Sequence, residues 1–183
     1  MAIIGLANLH YAIMTAEDTA ETAATYGTPK RLVGINSVSI QPTNETSTLY
    51  GDNKALATVT NTKEFTISLE VAKLPTEDEA ALLGHSYDST TSVMTVKGND
   101  TPPYIALLFD AGLEDGTTEY VKFFKGKMAP AQQDMNTRGD TLDYGLHSLE
   151  GTFVARTKDD KVYETKVTSE TSVATSWYAS VDG

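Results

Sequence analysis

Residues that could do chemistry are few in this sequence, and their spacing does not assemble a reactive site. The three histidines are scattered along the chain, at His10, His85 and His147. None of them has a second ligand at the spacing that zinc sites use. The acidic pairs Glu77-Asp78 and Asp159-Asp160 lack the apolar neighbours that would desolvate a carboxylate for acid–base catalysis, which favours solvated charges. We therefore expect a protein without catalytic residues, metal sites or cofactors, and thus not an enzyme.

The composition describes an acidic globular protein without cysteine. The chain has 183 residues, of which 40% are hydrophobic and 21% charged, as is usual for one folded domain. The absence of cysteine excludes disulfides and thiolate chemistry. The net charge of −11 opposes tight binding to nucleic-acid phosphates. The first residues lack a basic leader, and no stretch approaches the roughly 20 apolar residues of a membrane span, so we expect a soluble protein made in a cytosol, without membrane insertion.

Two segments with alternating apolar and polar residues predict half-buried antiparallel strands. Between residues 62 and 72 the apolar residues are Phe65, Ile67, Leu69 and Val71, and the polar ones are Glu64, Thr66, Ser68 and Glu70. Upstream, Val38 and Ile40 alternate with Ser37, Ser39 and Gln41. The polar stretch between the two segments, residues 42–61, is too long for a hairpin turn, and we predict a long inter-strand loop there.

One short α-helix is predicted, over residues 76–83. Thr76 and Glu79 have the spacing of a capping box, and Gly84 can end the helix in a left-handed conformation. Further strands are predicted at residues 93–97, 104–110, 119–127 and 141–156. Asp115-Gly116 supplies a hairpin turn between the second and third of these. The result is a mainly β fold, a sandwich or barrel of antiparallel strands.

The segment from residue 157 to residue 183 differs in character from the rest. It is rich in Ser, Thr, Lys and acidic residues, and it has few apolar residues before Val173, Trp177 and Tyr178. We therefore divide the chain into a β domain over residues 1–156 and a C-terminal arm over residues 157–183. The arm is expected to be flexible and to dock on a neighbouring molecule.

Six short segments form an ordered set over residues 1–156. They are residues 1–12 (MAIIGLANLHYA), 48–53 (TLYGDN), 82–85 (LLGH), 103–106 (PYIA), 124–127 (FKGK) and 149–153 (LEGTF). In sequence, order and spacing the set resembles the major tail tube proteins of long-tailed, non-contractile (siphovirus-type) bacteriophages. The resemblance implies a β-sandwich of two packed antiparallel sheets, with a flanking helix and a long inter-strand loop.

The same resemblance implies a structural function. Six subunits of such a protein form a ring, rings stack into a hollow tube, and the genome passes through the lumen into the host. The implied partners are further copies of the chain, the tape-measure, tail-tip and tail-terminator proteins, and double-stranded DNA in transient, non-specific passage. The protein would lie in the tail of the virion after assembly in the host cytoplasm.

Mapped onto this sequence, the resemblance assigns two sets of residues. The contact between rings is expected at Leu49, Tyr50, Gly51 and Asp52, because an exposed Leu-Tyr pair needs an apolar partner. The lumen-facing candidates are Ser37, Ser39, Gln41, Glu64, Thr66, Ser68 and Glu70. Their apolar neighbours would then point into the subunit core. An acidic, polar lumen would repel DNA weakly, within a Debye length of about 8 Å, and so would let it pass.

Two other functions fit the same sequence. One is the tube protein of a contractile tail or of a secretion system, built on the same fold. The other is a β-sandwich module that binds carbohydrate or a cell surface. Such modules often present aromatic platforms, whereas the only tryptophan, Trp177, lies in the C-terminal arm.

Overall fold

The computed structural model describes residues 2–51, 54–130 and 146–182 of the chain. Within these residues it is mainly β, which confirms the predicted fold class. The strands are β1 (Ile3–Ala16), β2 (Thr25–Tyr26), β3 (Lys30–Arg31), β4 (Ile35–Gly51), β5 (Lys54–Val71), β6 (Ser86–Asp88), β7 (Val93–Thr95), β8 (Ile105–Leu113), β9 (Thr118–Pro130), β10 (His147–Val154) and β11 (Tyr163–Thr168). The helices are α1 (Thr76–Leu83) and α2 (Ser172–Trp177). Of the strand predicted at residues 141–156, the first five residues lie outside the described part.

The described strands form two antiparallel sheets of unequal size. The large sheet has the order β2-β1-β8-β9-β10-β5-β4, with β3 paired to β1 and β11 paired to β9. β6 and β7 form the small sheet. One edge of β9 serves two partners, since residues 118–123 pair with β11 and residues 126–130 pair with β10. The large sheet does not close into a barrel.

The large sheet curls so that its distant strands share one core. Leu9 of β1 and Ile67 of β5 belong to the same buried cluster, although three strands separate them in the sheet. Phe123 and Phe153 pack in this cluster with ring centroids 5.3 Å apart. Gly126 lies so close to the Phe153 ring that an added Cβ atom would collide with it. Each large apolar side chain buried in this way contributes about 1.5–3 kcal/mol to folding.

The predicted turn between β8 and β9 is confirmed. Gly116 has a φ of 81°, in the left-handed region that glycine adopts without strain. The Asp115 carboxylate accepts hydrogen bonds from the backbone amide and the hydroxyl of Thr117, at 3.0 and 2.6 Å. This local bonding fixes the turn and sets the register of β8 and β9, the two most buried strands of the described residues.

Helix α1 has the predicted extent, but its start differs from the prediction. Thr76 is the first helical residue and not the cap; Pro75 holds the cap position, and no side chain caps the helix. The Glu79 amide donates instead to the Pro75 carbonyl, at 2.9 Å. Gly84 ends the helix with a φ of 74°, as predicted. Because the cap residue is proline, it has no side-chain oxygen that could accept a hydrogen bond, and the capping box does not form.

One acid of helix α1 is buried, which corrects the prediction of two solvated charges. Asp78 accepts a hydrogen bond from the Tyr11 hydroxyl at 2.8 Å and forms an ion pair with Lys30 at 2.7 Å. Burial, together with the Asp78 carboxylate, raises the pKa of Tyr11 well above its ordinary value. Asp78 therefore ties the helix to β1 and does not serve as a free surface charge.

The long loop predicted at residues 42–61 is wrong. Residues 42–51 and 54–61 are the outer part of a hairpin formed by β4 and β5. β10 pairs with β5 only over residues 64–71. From residue 63 back to the tip, β5 pairs with β4 alone, so this part of the hairpin is a two-stranded ribbon that projects from the sheet. Most residues of this ribbon are polar and it has no buried face, so it lacks the hydrophobic alternation from which the inner strands were predicted.

The C-terminal segment contributes a strand and a second helix that were not predicted. β11 pairs with β9 from Tyr163 to Thr168, and Val173 of α2 and Val181 are buried. The single predicted helix is thus corrected to two. This segment has only a few apolar residues, too few to predict a strand or helix from sequence. They are buried because the segment packs on the sheet. That residues 157–183 form a separate, flexible arm that docks on a neighbour stays a prediction.

Candidate assembly surfaces

All seven residues predicted to face a lumen lie on one face of the large sheet. Pairing places Ser37 opposite Glu70, Ser39 opposite Ser68, Gln41 opposite Thr66 and Thr43 opposite Glu64. On β5, Ile67, Leu69 and Val71 point to the opposite face and are buried, while Phe65 packs against the core. The predicted division of β5 into a polar face and a core face is therefore present in the fold.

Strand β10 extends this polar face with three residues that the sequence analysis missed. Ser148, Glu150 and Thr152 lie opposite Glu70, Ser68 and Thr66. The same alternation in β10, with Leu149, Gly151 and Phe153 buried between them, could have revealed these residues. We call these three and the seven predicted residues the open polar face.

The open polar face carries more negative than positive charge. Glu64, Glu70 and Glu150 are its acids, and Lys127 of β9 lies opposite Thr152 at its border. The Glu70 carboxylate accepts hydrogen bonds from the Ser37 hydroxyl at 2.8 Å and from the Asn36 amide at 3.1 Å. Within the described residues, no group of three acidic or histidine side chains is placed to hold a metal ion. This face therefore presents polar and acidic groups to whatever lies opposite it.

The predicted contact residues lie at the tip of the β4–β5 hairpin. Leu49 and Tyr50 expose 64% and 71% of their surface, and Gly51 pairs with Lys54 as the last pair of the ribbon. Asp52, the fourth predicted contact residue, lies outside the described residues. Leu56 and Val59 of β5 are also exposed near the tip, and the sequence analysis did not single them out. Apolar side chains on a thin exposed ribbon favour contact with another surface.

Polar pairs hold the ribbon together along its length. The hydroxyl oxygens of Thr46 and Thr60 lie 3.1 Å apart, and the Thr62 hydroxyl donates to the Asn44 side chain at 2.7 Å. Lys63 and Glu45 form an exposed ion pair at 2.5 Å. Such pairs add little, and a lone two-stranded ribbon is only marginally stable in water. The ribbon would thus gain most from a neighbour that covers it.

The outer face of the other half of the sheet is covered by the C-terminal segment. Val181 packs with Ala12, Leu108 and Phe124 in a second buried cluster. Lys122 donates to the Val181 carbonyl at 2.8 Å. Burial lowers the pKa of Lys122, although the nearby Glu164 and Asp182 carboxylates oppose this. The segment from α2 to residue 182, which we call the cover, therefore packs on this half of the sheet.

Two further polar contacts attach the C-terminal segment to the rest of the fold. The Tyr178 hydroxyl donates to the Asp110 carboxylate at 3.0 Å, and Arg156 forms an ion pair with Asp182 at 2.6 Å. The Arg156 guanidinium also lies 4.1 Å from the centre of the Phe124 ring. Burial, followed by the charge of Asp110, raises the pKa of Tyr178 far above its ordinary value.

A buried ion pair joins this half of the sheet to the start of the C-terminal segment. Lys125 of β9 donates to Asp18 at 2.7 Å, and Asp18 also accepts from the backbone amides of Thr157 and Lys158. Burial by itself would raise the pKa of Asp18, but the bonds from Lys125 and the two amides outweigh it and hold the pKa below its usual value. Asp18 is therefore ionised in the folded protein at neutral pH.

Comparison with known families finds one that matches this chain. The family model for phage tail tube proteins matches residues 1–175 of the chain. No curated protein sequence matches it. Among the described residues, neither helix has the length or apolar character needed to cross a membrane. The match covers nearly the whole chain and confirms the resemblance found in the sequence, so this chain belongs to the phage tail tube protein family.

Proposed function

We propose that six copies of this chain form a ring, and that the rings stack into the tail tube of a long-tailed, non-contractile bacteriophage. The tube would conduct the genome into the host. The observation that carries this proposal is the division of β5 and β10 into one face buried in the core and one open polar face, which β4 extends. A wall of a water-filled channel requires strands of this kind.

The charge of the open polar face supports its position at the lumen. DNA carries one negative charge per about 1.7 Å of axis, so a basic wall would bind it and slow its passage. Three glutamates against one lysine give a weakly repulsive wall, whose effect reaches about 8 Å at physiological ionic strength. Passage would be passive, with hydrated polar side chains between wall and DNA.

The free edge of β4 supports the closing of a ring. Within the described residues β4 pairs only with β5, so its other edge leaves backbone donors and acceptors unpaired. Such edges invite pairing with another chain, and closure of a ring removes them. The further partners would be the tape-measure, tail-tip and tail-terminator proteins, which meet the tube along its interior and at its two ends.

Electron microscopy of the purified chain tests the proposal. Negative staining of dilute and concentrated samples should reveal six-fold rings or hollow tubes. Cysteine placed at Glu64 should react with a small thiol reagent that enters the open lumen, while cysteine at Phe65 in the same tubes should stay protected. Globular particles that remain monomeric at every concentration, and also when added to purified tail tips, would contradict the proposal.

A charge reversal tests the lumen assignment by itself. Glu64→Lys together with Glu150→Lys should leave tube formation intact and slow genome delivery, because the wall would then attract DNA. Glu70 is less suitable, since its carboxylate also accepts bonds from Asn36 and Ser37. Exposed Glu114, in the turn after β8, gives a matched control as Glu114→Lys. Delivery at the normal rate in the double variant would remove this face from the lumen.

A further inference from the structure

A cavity of about 580 Å³ lies between the cover and strands β9 and β11. Lys122 and Phe124 of β9 line it, and because they are two residues apart they lie on the same face of the sheet. Lys166 of β11 lines one side, and the cover lines the other with the apolar residues Val173, Trp177 and Val181. A cavity of this volume is large enough to hold a small organic molecule.

The cavity contains a buried positive charge without a counter-ion. Lys122 exposes only 6% of its surface. Its ammonium donates to the neutral carbonyls of Val181 at 2.8 Å and Ser180 at 3.3 Å, which leaves one of its three N–H donors unused. Among the described residues, Lys122 has no ion-pair partner. Lysine is rarely buried so deeply unless an opposite charge accompanies it.

The acids that line the cavity are engaged with other cations. The Asp182 carboxylate forms an ion pair with Arg156 at 2.6 Å. Glu164 lies opposite Lys122 in the pairing of β11 with β9, but its carboxylate is exposed and lies 3.7 Å from the ammonium of Lys161. Neither carboxylate therefore neutralises Lys122 by direct contact.

The lining of the cavity is positively charged, although the chain as a whole has a net charge of −11. It contains two acids and four cations, which are Lys122, Arg156, Lys161 and Lys166. Lys166 is exposed and, within the described part of the chain, has no ion-pair partner. An anion that the acidic surface repels would thus be attracted to this cavity.

Aromatic and aliphatic side chains lie beside the charges. The Lys122 ammonium lies 4.4 Å from the centre of the Trp177 ring, and the Arg156 guanidinium lies 4.1 Å from the centre of the Phe124 ring. The indole N–H of Trp177 is buried and has no hydrogen-bond partner among the described residues. The site therefore combines unused N–H donors and positive charge with an apolar wall.

We propose that this cavity binds a small organic anion, a carboxylate attached to an apolar or aromatic body. The carboxylate pairs with Lys122, and the apolar body lies against Trp177 and Val173 of the cover. Bound in this way, the anion would fasten the cover to β9 and β11. The site goes beyond tube formation and does not depend on it, and it includes Trp177 and Val181, which follow the last residue of the family match.

Fluorescence of Trp177, the only tryptophan of the chain, tests the site directly. Titration with phenylacetate at constant ionic strength should change the emission and saturate at about millimolar concentration, as expected for so small a ligand. Phenylacetamide, which keeps the apolar body without the charge, and acetate, which keeps the charge without the ring, should bind at least about ten-fold more weakly. A change that does not saturate, or that is equal with phenylacetamide, would overturn the proposal.

Substitution of the cations identifies the group that holds the carboxylate. Lys122→Met keeps the apolar stem and should weaken phenylacetate binding about ten-fold or more. Lys166→Gln should weaken it about two- to five-fold, as expected for an exposed charge. Lys73→Gln is the control, because Lys73 is exposed and lies outside the cavity, and its affinity should be unchanged.

Circular dichroism shows whether each variant is folded. Undiminished affinity in folded Lys122→Met would overturn the pairing with Lys122. If Lys122→Met does not fold, Lys166→Gln decides, since an exposed side chain is not needed for folding. Affinity of Lys166→Gln equal to that of Lys73→Gln would then overturn the proposal.

Discussion

The two halves of the large sheet are completed in different ways. On β8, β9 and residues 9–14 of β1 both faces are covered, the inner one by the core and the outer one by the C-terminal segment with Val181 and Tyr178. On β5 and β10 the inner face is buried, but no described segment covers the outer face of these strands and of β4, or the projecting ribbon. The first half is therefore complete in one subunit, whereas the second leaves surface for neighbours.

This difference separates stability from assembly within one sheet. Side chains of the covered half have their partners in the same chain, so substitutions there should lower the stability of the isolated subunit. Side chains of the ribbon and the open polar face make few contacts with the core of their own chain, so substitutions there should mainly change tube assembly or function. The following predictions test that separation, from the largest expected effect on the isolated subunit to the smallest.

Phe153→Ala should destabilise the isolated subunit most. Phe153 is fully buried and packs on Phe123, and truncation of such a ring costs about 3–5 kcal/mol. Thr152→Ala is the matched control, because Thr152 is next in sequence but exposed on the open polar face. Its effect should stay within about 0.5 kcal/mol. Urea unfolding followed by tryptophan fluorescence measures both, and equal losses would show that the two faces of β10 are not distinct.

Asp18→Asn should be nearly as damaging, because it leaves Lys125 buried without its counter-charge. Loss of one partner of a buried ion pair costs about 3–5 kcal/mol. Glu17→Gln, at the exposed neighbouring position, should cost less than about 0.5 kcal/mol. Thermal unfolding at pH 7 compares the two variants. A small loss of stability in Asp18→Asn would mean that water solvates the Lys125 ammonium in the folded state.

The pH dependence of stability should report the same contact. The pKa of Asp18 is lower in the folded protein than its ordinary value of 3.8, so the unfolded chain takes up the proton first as pH falls. The stabilisation is complete above that value and is lost as pH falls through the folded pKa. Unfolding free energies of the natural chain should therefore drop more steeply below about pH 4 than those of Asp18→Asn. Parallel curves for the two proteins would remove Asp18 from this role.

Tyr178→Phe should have a smaller effect, confined to the cover. The change removes the hydrogen bond to Asp110, worth about 1 kcal/mol, and keeps the stacking of the ring on His10 at a centroid distance of 4.2 Å. Amide exchange in residues 172–182 should quicken while exchange in β8 and β9 stays slow. Uniformly faster exchange would mean that the cover and the sheet unfold as one unit.

Leu49→Ser with Tyr50→Ser should have the smallest effect on the isolated subunit and the largest on the tube. Both side chains are exposed, so the free energy of unfolding should change by less than about 0.5 kcal/mol. Tube growth should fall sharply, because the apolar tip would be lost. Val93→Ser, an exposed apolar position on β7, serves as the control. Normal tubes from the double variant would contradict a role of the tip in assembly.

Several parts of the fold were predictable because local chemistry fixes them. The alternation from Glu64 to Val71 gave the inner and outer faces of β5, and Asp115-Gly116 gave the β8–β9 turn. Helix α1 was predicted with its correct extent and ends at Gly84 as expected, although the capping box used to predict its start does not form. In each case the deciding contacts are either within a few residues or follow from the two-residue period of a strand.

Other parts were not predictable, since their partners lie far away in the sequence. The ribbon at residues 42–61 has no buried face, and its strands are defined only by pairing with each other across the hairpin. β11 and α2 carry too few apolar residues to be recognised until β9 supplies the surface on which they pack. Asp78 reads as a surface acid until Tyr11, far from it in sequence, approaches within hydrogen-bond distance.

The sequence by itself determined the class of the protein: a mainly β, acidic, cysteine-free subunit whose ordered motifs match the tail tube family. It also determined which side chains of β5 point inward, because successive strand residues must face opposite ways. Only the tertiary structure decided which half of the sheet is covered, where Asp18 is buried and how the hairpin projects. Those features depend on contacts between residues up to about a hundred and forty positions apart, such as Asp18 with Lys158, and no local pattern encodes such contacts.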